Sequence, residues 1–100
     1  MSLDIITAKI KEKMAMASGL NAKVKIDFGE NGCVFVDTTQ SPALISHEDK
    51  DADLTLETSK ETFEAILSGT QDPNIAFMMG KLKVKGSMGL AMKLNNILED

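Results

Sequence analysis

With 100 residues, 43% of them hydrophobic and 26% charged, the chain has the composition and length of one globular domain, and residues 1–100 are expected to form a single unit. A net charge of −4, with lysine as the only strongly basic residue type, excludes a general nucleic-acid binder, which needs a basic footprint. No apolar run approaches the roughly 18 residues of a membrane span.

The first predicted element is a helix. Leu3, Ile6, Ile10, Met14 and Ala17 recur on one face, Lys9, Glu12 and Lys13 turn outward, Ser2 caps the start and Ser18-Gly19 ends it. KVKIDF (23–28) then alternates as a strand with one wet face, GENG (29–32) is a hairpin turn, and CVFVDT (33–38) returns. Because Cys33 and Phe35 oppose Val34 and Val36, this second strand is apolar on both faces and belongs inside the sheet. PALIS (42–46) is a short third strand and ADLTLE (52–57) a fourth, with Leu54 and Leu56 facing in.

Thr58 and Glu61 form a capping-box pair before a helix that buries Phe63, Ile66 and Leu67 and stops at Gly69. Asp72-Pro73 starts a short helix that ends at Gly80. KLKVK (81–85) is an edge strand guarded by its lysines. Ser87 caps a last helix whose Met88, Leu90, Ala91, Met92, Leu94, Ile97 and Leu98 leave little of its circumference polar. The order α-β-β-β-β-α-α-β-α predicts an α+β fold, a five-stranded, mostly antiparallel sheet covered on one face by helices.

The glycine- and lysine-rich stretch GKLKVKGSMGLAMKL (80–94) is no nucleotide grip. Five residues separate Gly80 from Gly86, Ser87 stands where a Walker loop needs lysine, and Val84 replaces a glycine of the dinucleotide motif. Gly80 ends a helix, Gly86 supplies a turn, and Gly89 is expected to allow close packing of the last helix. The acidic run HEDKDAD (47–53) matches three EF-hand positions. It has Leu54 at the sixth position and Lys60 at the twelfth, so it is expected to be a solvated turn and no metal site. Cys33 and His47 are the only thiol and imidazole, and no catalytic constellation is expected. The single cysteine and the absence of a signal-peptide pattern point to the cytoplasm.

Charge and methionine carry more information. Residues 74–98 hold Lys81, Lys83, Lys85 and Lys93 and no acid, a local +4, so the rest of the chain sums to −8. These lysines are candidates for meeting an anionic head group or a transient anionic membrane surface. Methionines at 14, 16, 78, 79, 88 and 92 supply flexible apolar surface, and a helix apolar almost all round can close over a ligand cavity or dock a partner.

The segment Asp51 to Leu94 resembles the sterol carrier protein type 2 family. It carries an A-D-x-T-L-type strand, an F-x-x-[IL]-x-x-G helix end, an Asp-Pro helix start, and A-F-x-x-G-K-L-K-V-K-G-x-M-G-L-A-M-K-L. The resemblance implies a five-stranded sheet and helices enclosing an apolar cavity for a fatty acid, fatty acyl-CoA, phospholipid or sterol. It also implies a non-enzymatic carrier without a cofactor. Carried over, Phe77 and Met78 lie on the cavity-lining short helix, Leu82 and Val84 on the last strand, and Met88, Leu90, Met92 and Leu94 on the closing helix; Leu56, Phe63 and Ile66 join them by facing direction. Two positions depart from the pattern: Met79 where the family often has a polar residue, and a Leu98-Glu99-Asp100 ending in place of a peroxisomal tripeptide. The alternative reading is a protein-interaction module with a filled core that docks a partner through its last helix.

Overall fold

The computed structural model describes residues 3–15, 20–40 and 44–98. The elements are α1 (Leu3–Ala15), β1 (Lys23–Asp27), a 3-10 turn (Gly29–Asn31), β2 (Cys33–Asp37), β3 (Leu44–Ser46), β4 (Leu54–Thr58), α2 (Lys60–Ser68), α3 (Pro73–Met78), β5 (Leu82–Gly86) and α4 (Met88–Leu98). The expected Ser2 cap, the Ser18-Gly19 stop and the start of the third strand at Pro42 lie outside the described residues.

The five strands form one sheet in the order β3-β2-β1-β4-β5. β1–β2, β2–β3 and β4–β5 pair antiparallel, while β1 and β4 run parallel at the centre, with Val24 opposite Leu54 and Ile26 opposite Leu56. The sheet is therefore mixed, antiparallel in three of its four pairings. β2 lies inside it, as its doubly apolar pattern requires.

Strand alternation decides which face collects the helices. Val24 and Ile26, Val34 and Val36, Leu54 and Leu56, and Leu82 are all buried on one side. Ile6, Ile10 and Met14 of α1, Phe63, Ile66 and Leu67 of α2, Ala76 of α3, and Ala91 and Leu94 of α4 complete the same core. Each large side chain there contributes about 1.5–3 kcal/mol over leaving it exposed.

The acidic run is more than a solvated turn. From β3 at one edge, residues 47–53 cross the outer face of the sheet to reach β4. The Cys33 thiol lies 3.8 Å from the His47 carbonyl oxygen and 3.7 Å from that of Glu48. Lys25 Nζ pairs with Asp49 at 2.7 Å, and Lys50 Nζ stands 5.7 Å from the Phe35 ring centre. The segment is a strap whose side chains stay wet while it covers Cys33 and Phe35, which is why both are buried on the helix-free side.

Two local expectations are corrected. The cap of α2 is Ser59, whose Oγ accepts the Thr62 N–H at 3.1 Å. Thr58 remains in the β4–β5 ladder opposite Leu82, and its hydroxyl donates to the Lys81 carbonyl at 3.0 Å, so the helix starts one residue later. Gly89 is not required for close packing either. A methyl group there would meet only Ser87 Oγ, at 3.7 Å.

Candidate functional site

Asp72 caps α3, its carboxylate accepting the Asn74 and Ile75 N–H groups at 2.7 and 3.4 Å, and Pro73 fixes the first turn. Six residues give this helix room to bury only Pro73 and Ala76. Phe77 is left 44% exposed, Met78 76% and Met79 61%, with Ile75 exposed beside them. α4 turns Ala91 and Leu94 inward, holds Leu90 and Ile97 half-buried, and leaves Met88 51% and Met92 64% exposed. Both helices pack against β5.

The residues carried over as lipid-lining thus fall into three depths. Leu56, Phe63, Ile66, Leu82 and Leu94 are buried together in the core. Val84 and Leu90 pack half-buried against it. Phe77, Met78, Met88 and Met92 lie on the surface of α3 and α4. These two short elements thus leave several large apolar side chains exposed to solvent.

Phe28 belongs beside them and was not singled out from sequence. Its ring stands edge-on to Phe63, centroids 5.6 Å apart at 66°, and the signal for it was the continuing alternation Val24, Ile26, Phe28. Outside Phe28 is an open cleft of about 300 Å³ lined by Asp27, Phe28, Gly29, Glu57 and Thr58. It is walled by two carboxylates and suits neither an acyl chain nor an anionic head group.

The four lysines do not form one patch. Lys83 and Lys85 point to the outer face of the sheet, away from the helices, as β5 alternates with the inward Leu82. Lys85 pairs with Glu57 at 2.7 Å, which raises the lysine's pKa and lowers that of Glu57. Lys81 follows α3, and Lys93 is exposed on α4. Cys33 and His47 do not form a dyad: the thiol faces backbone carbonyls, burial pushes its pKa up, and His47 Nε2 lies 2.9 Å from Thr7 Oγ1. No helix among the described residues is long and apolar enough to cross a membrane.

A mixed five-stranded sheet with helices on one face, whose apolar residues continue outward on α3 and α4, defines an α+β domain of the sterol-carrier type. The chain belongs to the SCP-2 sterol transfer family, whose model matches residues 3–99. It is 31% identical over 105 residues to "Non-specific lipid-transfer protein-like 1" of Caenorhabditis elegans, covering 96% of this chain and 89% of that protein. It is 44% identical over 55 residues to human "Sterol carrier protein 2", which is 55% of this chain and 10% of that protein; the match spans only a tenth of the longer relative. Among solved structures, Sterol Carrier Protein-2 from Aedes aegypti in complex with palmitate has the same fold, with a TM-score of 0.76 at 22% identity, covering 98% of this chain and 96% of the other.

Proposed function

We propose that this chain is a non-enzymatic, cytoplasmic lipid carrier, acting as one domain over residues 1–100. It holds a fatty acid, fatty acyl-CoA, phospholipid or sterol in an apolar cavity formed where α3 and α4 meet the sheet, and it uses no cofactor. The observation that carries this reading is the grading of apolar residues on one side of the molecule. Leu82 and Leu94 are buried, Val84 and Leu90 half-buried, and Phe77, Met78, Met88 and Met92 exposed, so an acyl chain has apolar contacts from the surface to the core. Separation of α3 and α4 by a few ångströms admits such a chain, and methionine side chains re-form around it without a fixed shape. Each methylene buried contributes about 0.8 kcal/mol, so even a partly enclosed long chain can bind with micromolar strength after association costs. Palmitate in the related mosquito protein supports the choice of a long-chain ligand.

The test is displacement. Solvent-stripped protein is loaded with a fluorescent long-chain fatty acid and challenged separately with palmitate, palmitoyl-CoA, phosphatidylcholine and cholesterol. The carrier reading predicts saturable loading near one ligand per chain and displacement by one class above the others. Loading that never saturates, or none at all, contradicts it and returns the apolar helices to protein docking.

A further inference from the structure

α4 holds a buried hydrogen-bond acceptor with no donor. Asn95 is half-buried, and its side-chain carbonyl oxygen, Oδ1, is enclosed without a hydrogen-bond partner among the described residues. Helix spacing sets where it stands. Asn95 lies one turn beyond Ala91 and Met92 and two turns beyond Met88, so it falls between the buried stripe of Ala91 and Leu94 and the exposed stripe of Met88 and Met92. The oxygen is therefore on the same graded apolar side of α4 that the carrier reading gives to a lipid. Solvation accounts for the exposed neighbour Asn96, but not for an enclosed Oδ1. Folded domains rarely leave a buried acceptor unpaired, and leucine would fill a similar volume without that cost. A carbonyl oxygen accepts and cannot donate, so the group that satisfies it must carry an O–H or N–H. An ionised carboxylate, a phosphodiester or an ether presents only acceptors to it.

We propose that Asn95 selects the lipid by its polar end: Oδ1 accepts a hydrogen bond from a lipid O–H, either the hydroxyl of a long-chain alcohol or sterol or the un-ionised carboxyl of a fatty acid. This rests on the lipid-carrier reading and narrows it, setting O–H lipids above phosphatidylcholine and above any lipid whose head is an ester or ether. Asn95 is a specificity residue in this account, because the apolar contacts of the tail are the same with or without the hydroxyl.

The experiment is displacement of the fluorescent fatty acid from the lipid-stripped full chain by hexadecanol and by hexadecyl methyl ether, which differ only in O–H against O–CH₃. The native chain is expected to prefer the alcohol by roughly tenfold, the scale of one hydrogen bond to an acceptor otherwise left unpaired. Asn95→Leu is expected to bring the ratio close to one, while Asn96→Ala, at the exposed neighbour, keeps it at roughly tenfold. Each ratio is taken within one protein, so a change in probe affinity cancels. Urea unfolding of the lipid-free chains gives a second readout: Asn95→Leu is expected to raise the midpoint, since it removes an unpaired acceptor from the interior. Palmitate measured beside hexadecanol at mildly acid and mildly alkaline pH separates the two sources of the O–H. Palmitate that gains on the alcohol in acid is held as the un-ionised acid; a constant ratio assigns the site to alcohols. Equal displacement by alcohol and ether in the native chain overturns the proposal and leaves Oδ1 to water. A preference that survives in Asn95→Leu overturns it too, because the bulk of the ether methyl then explains the difference. A lowered Asn95→Leu midpoint overturns the unpaired acceptor on which the proposal stands. A native chain that loads no probe overturns the carrier reading instead.

Discussion

Replacing Gly86 with alanine tests how β5 is seated on β4. Gly86 sits at φ +117°, a region L-residues rarely occupy, and lies opposite Leu54 in the ladder. A methyl group at this position would press into the Asp53 carbonyl oxygen, with Leu54 Cα at 3.2 Å and the Asp53 carbonyl carbon at 3.3 Å. These are backbone atoms, and Asp53 is held from its other side. Its N–H donates to the Lys23 carbonyl at 2.8 Å, and its carboxylate accepts the Lys23 N–H at 3.0 Å. Relief therefore means opening either the β4–β5 end or the Lys23–Asp53 clasp. Backbone strain of about 1–3 kcal/mol and overpacking of about 1–3 kcal/mol give an expected loss of roughly 3–5 kcal/mol, a large part of a typical domain's 5–15 kcal/mol. Two reference variants make the comparison internal. Gly80→Ala has a positive φ of +77° but nothing within 4 Å, and is expected to cost about 1–2 kcal/mol. Gly89→Ala is helical with only an ordinary contact, and is expected to gain up to about 1 kcal/mol. With no Trp or Tyr in the chain, urea unfolding is followed by far-UV circular dichroism. A Gly86→Ala midpoint close to native, or a Gly89→Ala loss as large as that of Gly86→Ala, refutes the reasoning.

The Ser59 cap predicts that Ser59→Ala loses about 1 kcal/mol in the same urea assay; no change in midpoint contradicts the assignment. Burial under the 47–53 strap, with the raised pKa that follows, predicts that Cys33 reacts with iodoacetamide at least about a hundred times faster in urea than in the native chain. Comparable rates in the two conditions would mean that the strap does not cover the thiol. The lowered pKa of Glu57, due first to its hydrogen bond from Lys85, has a definite sign: its stabilisation is present at neutral pH and is lost as pH falls through the folded-state pKa. The stability gap between the native chain and Glu57→Gln is therefore expected to be small near neutrality and to shrink as the carboxylate is protonated in acid. A gap that widens in acid reverses that sign.

Local pattern was enough for the element order, because period-2 alternation in KVKIDF and ADLTLE and the caps at Asp72 and Gly69 are decided within a few residues. The motif run from Asp51 to Leu94 pointed to the same family as the comparison over residues 3–99. The parallel pairing of β1 with β4 was not legible, since it depends on the strap, and a short acidic segment has the same composition whether it turns in water or crosses a sheet. Thr58 and Ser59 are both competent caps, and only the strand partner Leu82 decides between them. The lysines of β5 looked like one cluster in the chain, yet alternation sends Lys83 and Lys85 to the face away from α3 and α4. For α4, apolar almost all round, sequence could not say which residues face in; contact with the sheet and α1 selects Ala91 and Leu94 and leaves Met88 and Met92 outside.

The central claim, a lipid held between the sheet and the α3–α4 side, is tested most directly by methyl NMR. Protein labelled at its seven methionine methyl groups and stripped of lipid is titrated with palmitate. The account predicts that the Met78, Met88 and Met92 signals move together and stop moving near one equivalent. Signals that do not move, or that drift without saturating well beyond one equivalent, would contradict it.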